Sequence, residues 1–145
     1  MQPGQGQPRD TGLSAPRAVI VHGAGDVPRA LAVAAGRPIA LLSAPGVAGY
    51  LGFAGFAALL DAHAARPLAI LDAADSPGYA LAALRAGFAR VVLAPEVPAH
   101  AALARLAEGL GARLLPRAPP ALDLARVNLL KPQGIRHLSR WLDLP

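Results

Sequence analysis

The chain has no cysteine among its 145 residues. That absence excludes a disulfide framework, a thiolate zinc site, an iron–sulfur cluster and a cysteine nucleophile. It fits a reducing compartment, and a cytoplasmic location is the expectation taken from it. Aromatic residues are scarce, at 4%, and Lys131 is the sole lysine. Nucleic-acid binders carry a dense basic stripe with interleaved aromatics. Here the basic residues are spaced out, which argues against a nucleic-acid partner. Charged residues make up only 16% against 54% hydrophobic ones, so the chain is not a disordered one. No H-E-x-x-H or G-x-S-x-G motif occurs, so neither a zincin site nor a hydrolase elbow is expected, and no metal or cofactor is assigned.

The formal charge of +5 is unevenly spread. Residues 1–112 carry eight Arg against seven acids, whereas residues 113–145 carry six basic residues against Asp123 and Asp143. The body is nearly neutral and the C-terminal segment is basic. The leader MQPGQGQPRDTGLSAP, residues 1–16, has no basic region followed by an apolar run. It reads as a disordered leader and not as a signal peptide. From Pro38 to Leu60 no residue is charged, which is long enough to span a bilayer. Pro45 and Gly46 interrupt the stretch just after a strand-like run, so a buried strand and helix are expected and no membrane contact.

Five short apolar runs are present: Arg17–Val21, Pro38–Leu42, Pro67–Leu71, Arg90–Leu93 and Ala112–Leu115. Uninterrupted apolar runs fit strands covered on both faces. Between them lie helical segments at Val27–Ala35, Val47–Ala65, Gly78–Ala86 and Pro98–Leu110. Gly36, Gly87 and Gly111 follow three of these segments, where a left-handed residue closes a helix. Asp26 and Ser76 are expected as N-caps, each followed closely by proline. The alternation predicts an α/β domain over residues 17–118, a three-layer sandwich with a five-stranded parallel sheet and helices on both faces. A flavodoxin-like order, 2-1-3-4-5, is the first expectation and a Rossmann-like order, 3-2-1-4-5, the second.

The second helix carries Gly46, Gly49, Gly52 and Gly55 beside Tyr50, Phe53 and Phe56. Glycine weakens a helix interior by up to about 1 kcal/mol each, so a packing reason is expected. Either the helix lies very close to the sheet or a neighbour, or its aromatics face a second copy across a two-fold axis. Residues 119–145 form a basic arm with a short amphipathic stretch, Gly134–Leu142. It is expected to dock on the domain or on a partner subunit. A homo-oligomer through helix 47–65 or through this arm is therefore one expectation.

In open parallel sheets ligands bind at the carboxyl ends of the strands, near the point where strand order reverses. The loops His22–Asp26, Ser43–Gly46, Asp72–Ser76 and Ala94–Glu96 are the places to inspect. The first, HGAGD, has the G-x-G part of a phosphate-cradling turn in Gly23 and Gly25. Pro28 stands where the full dinucleotide fingerprint has glycine, and Ser43 stands where a ribose-binding acid is usual. The loop ILDAADSPG carries Asp72 and Asp75. Its run of hydrophobics, Asp and Pro-Gly resembles the phosphoacceptor loop of response-regulator receiver domains, but His22 stands where that family has an acidic pair, so membership is not assigned. His22 would act as a general base if Asp72 or Asp75 oriented it. Pro45, which has no N–H, weakens Ser43 as a hydrolase nucleophile.

Three functional expectations follow. The first is a small α/β domain binding a small anionic or nucleotide-like ligand through His22, Gly23, Gly25, Ser43, Asp72 and Asp75. The second is an oligomeric interaction or scaffolding subunit. The third is a small lyase or hydrolase using His22 and Asp72.

Overall fold

The computed structural model describes residues 16–46 and 52–144. The leader to residue 15, Gly49 and Tyr50 lie outside the described residues, as does the side chain of Phe53. The elements in chain order are β1 (Arg17–Val21), α1 (Asp26–Ala34), β2 (Ile39–Ser43), α2 (Gly52–Asp61), β3 (Ala69–Asp72), α3 (Pro77–Arg85), β4 (Arg90–Val92), α4 (His100–Gly109), β5 (Arg113–Leu115), β6 (Ala121–Asp123) and α5 (Pro132–Asp143). A 3-10 turn at Arg66–Leu68 leads into β3 and another at Leu124–Arg126 follows β6.

The α/β class and the parallel sheet are those the alternation predicts, and every strand pair is parallel. The sheet has six strands and not five, in the order β5-β4-β3-β2-β1-β6. The first five strands are thus laid down in sequence, whereas both expected orders reverse within them. Successive right-handed crossovers that step in one direction leave their helices on one face. Accordingly, buried residues of all five helices join one cluster with Val19, Val21, Leu41, Leu71 and Val91. The opposite face groups Ala18, Ala40, Leu42, Ile70 and Val92 with Leu115, Ala118 and Ala121. No helix residue among those described belongs to it. Its cover includes the Pro116–Pro120 crossing from one edge strand to the other, where helices were expected.

Local chemistry explains the element ends. Gly36, Gly87 and Gly111 hold φ of +87°, +95° and +75°, as their positions after helices predict. Ser76 caps α3 by accepting the Tyr79 N–H. Asp26 does not cap α1; it is the first helical residue, and its carboxylate turns back to the preceding loop.

Phe56 of α2 is 1% exposed and stacks on Phe88, with centroids 5.9 Å apart. This aromatic is therefore packed inside the domain and does not face a second copy. Arg66 lies over the Phe88 ring and forks both nitrogens onto Asp61. The C-terminal segment docks on the domain. β6 pairs with β1, Leu138 of α5 is fully buried, and the Trp141 indole N–H donates to the Ala18 carbonyl at 2.8 Å. Arg37 bridges α1 to α5, donating to the Val33 and Ala34 carbonyls, to Ser139 and to Asp143. No helix among the described residues is long and apolar enough to cross a membrane.

Candidate functional site at the junction of β1 and β6

Strand order reverses at β1, which has β2 on one side and β6 on the other. The carboxyl ends of β1 and β6 place two titratable side chains together. His22 follows β1, Asp123 ends β6, and His22 Nε2 lies 2.6 Å from Asp123 Oδ1. The same carboxylate oxygen accepts the Ala125 N–H at 2.9 Å, so Asp123 also caps the turn that follows it. Burial pushes the Asp123 carboxyl upward, but the Ala125 N–H, the His22 ring and the Arg126 charge outweigh that and hold it below its ordinary value. An ionised carboxylate only accepts hydrogen bonds. The partner of that carboxylate is therefore a proton on His22 Nε2, and in the neutral ring this tautomer leaves the lone pair on Nδ1.

Asp26 organises the other side of the junction. Its Oδ2 accepts the His22 N–H at 2.7 Å and the Gly23 N–H at 3.3 Å. These loop donors, which a phosphate would use in a G-x-G cradle, are already committed to a carboxylate. Gly25 has a separate role. A Cβ there would lie 2.5 Å from the Arg29 guanidinium, so the missing side chain lets Arg29 fold over the loop. Gly23 has open space around it.

Beside these groups lies a recess of about 390 Å3, lined by Asp26, Arg29 and residues 125–130. Asp26 and Ala125 connect it to the His22–Asp123 pair. Neither Arg29 nor Arg126 forms a salt bridge among the described residues. Asn128 shapes the wall by accepting the Leu130 N–H on its side chain and the Lys131 N–H on its carbonyl.

The remaining expected site residues sit elsewhere. β2 lies between β1 and β3, so His22 and Asp72 are not on neighbouring strands, and the carboxylate paired with His22 is Asp123. Ser43 is fully buried, and its hydroxyl accepts the Asp72 N–H at 2.8 Å. Asp72 is 6% exposed and accepts the Ala74 N–H, holding its own loop. Asp75 is exposed and lines a second recess with Glu96 and Arg117. His63 and His137 are exposed on the surface. Among the described residues no three His, Asp or Glu side chains cluster as metal ligands would. Sequence reasoning missed Asp123, Arg29 and Arg126. The only local signal was an Asp after a short apolar run, Ala121–Leu122, which is too brief to read as a strand. No family model, no curated protein and no solved structure matches the chain.

Proposed function

We propose that this protein binds a small anionic ligand, nucleotide-like or simpler, at the carboxyl edge of its sheet where β1 meets β6. One observation carries this reading: the His22–Asp123 pair stands beside a recess whose two arginines, Arg29 and Arg126, have no salt-bridge partner among the described residues. Guanidinium groups are suited to phosphate and carboxylate because they donate in a planar fork. Anion recognition here rests on side chains and not on the HGAGD backbone, whose first two N–H groups already hold Asp26. The test is a thermal-shift titration with inorganic phosphate, nucleoside monophosphates and sugar phosphates. At a ligand concentration about 100 times Kd the stabilisation is ~2.7 kcal/mol. Stabilisation by one of these, lost in Arg126→Ala, supports the proposal; no stabilisation by any of them overturns it.

A second reading, proton transfer by His22, is favoured by the same hydrogen bond. A carboxylate that fixes Nε2–H orients the ring and leaves Nδ1 as the base. The lyase or hydrolase expectation then uses Asp123 in the place assigned to Asp72. Long-range 1H–15N NMR reads the tautomer directly, and a proton on Nδ1 in the neutral ring would rule this reading out.

A further inference from the structure

The sheet face opposite the helices carries a feature that the β1–β6 site does not use. Strand register pairs Arg90 of β4 directly with Arg113 of β5, and Ile70 of β3 lines the same recess. Arg117 follows on the crossing, and this recess, of about 390 Å3, opens among the three arginines. Its remaining described lining is apolar: Pro16, Ile70, Leu115, Ala118, Pro119 and Pro120. Like charges directly opposite on adjacent strands repel. None of the three guanidinium groups has an ion-pair or hydrogen-bond partner among the described residues. Edge strands often carry charge to block pairing with another chain. That explains Arg113 on edge strand β5, but Arg90 lies on β4, which is paired on both sides. Burial also pulls the Arg90 guanidinium below its ordinary value, so an unpaired charge is held there at a cost.

We infer that this recess is a binding site for a small organic carboxylate with an apolar body, its carboxylate bridging Arg90 and Arg113 and its apolar part lying against Ile70, Leu115 and the Pro119–Pro120 segment. A bridging anion turns the Arg90–Arg113 repulsion into two charge-assisted contacts. The recess is also within the size range of small-molecule sites. It shares no lining residue with the β1–β6 recess, so the inference stands or falls independently of the function proposed above.

The test is calorimetric titration of the whole protein with sodium octanoate, alongside octanol and sodium sulfate. Saturable octanoate binding is expected, at least tenfold tighter than octanol or sulfate, with nuclear Overhauser contacts from the ligand to the Ile70 methyls. Arg90→Leu is expected to weaken octanoate at least tenfold, whereas Arg85→Ala, on α3, leaves it unchanged. If Arg90→Leu does not fold, Arg113→Gln on the exposed edge strand takes its place with the same expectation. No saturable binding, equal binding of octanol, sulfate binding as tightly as octanoate, or undiminished binding in the folded arginine variants would each overturn the inference.

Discussion

Replacing Gly134 by alanine tests how tightly the C-terminal segment is fitted to the rest of the domain. Gly134 is buried in the first turn of α5, against the Asn128 main chain. A Cβ at this position would stand 2.6 Å from the Asn128 carbonyl carbon and 3.2 Å from its nitrogen, with the carbonyl oxygen closer still. Carbon atoms pack at about 3.5–4.0 Å, so one backbone must move by about 1 Å. The obstacle is main chain, which has no rotamer to change, and Asn128 is held by its bonds to Leu130 and Lys131. Overpacking of this kind costs ~1–3 kcal/mol, and the helix propensity gained from alanine, up to about 1 kcal/mol, offsets only part of it. The expected Gly134→Ala variant is destabilised by ~1–2 kcal/mol, a fall in Tm of about 3–6 °C for a chain of this size. Thermal and urea unfolding followed by circular dichroism measure both quantities. Because Asn128, Leu129 and Leu130 line the β1–β6 recess, ligand affinity there should fall with stability. A variant as stable as the wild type, or more stable, would refute the packing argument.

Three further outcomes are expected. Asp123 has a folded-state carboxyl value below its ordinary one, so the stability it contributes is complete above the ordinary carboxylate range and is lost as pH falls through the folded value. The stability gap between wild type and Asp123→Asn should therefore narrow from about pH 6 to about pH 3 in urea melts, and a gap that widens instead would contradict the sign. Ser43→Ala leaves the Asp72 N–H buried without its acceptor and should cost ~1–3 kcal/mol by chemical denaturation, against about 0.5 kcal/mol or less for an exposed serine. Phe88→Ala removes the ring that stacks on Phe56 and lies under Arg66, and should cost ~3–5 kcal/mol; a loss below about 1 kcal/mol would show that the cluster rearranges to fill the space.

The five principal strands were legible because each is an apolar run bounded by turn-forming residues. β1 coincides with its apolar run, Arg17–Val21, and the other four strands lie within two residues of theirs at either end. β6 was not legible. Ala121–Asp123 is a strand only because β1 supplies its hydrogen-bonding partner, about a hundred residues earlier in the chain. The same cause hid the site. His22 stands out as a histidine at a strand end, but the sequence points to a carboxylate on β3, because the first expected order, 2-1-3-4-5, makes β1 a neighbour of β3. Asp26, expected as an N-cap, instead bonds back to the loop before its helix. A carboxylate at a helix start is suited both to capping forward and to bonding back, and only the loop geometry chooses.

Composition and periodicity alone thus determined the class: alternating apolar strands and helices, glycine at the helix ends, no cysteine chemistry and no zincin motif. Those properties are local, set by backbone sterics and the burial of apolar runs. Tertiary structure decided the strand order, the sixth strand and the partner of His22. These depend on which edge of the sheet the chain returns to after Leu115, and no local pattern encodes that choice. Once Pro116–Pro120 crosses to β1, β6 forms and Asp123 is brought beside His22.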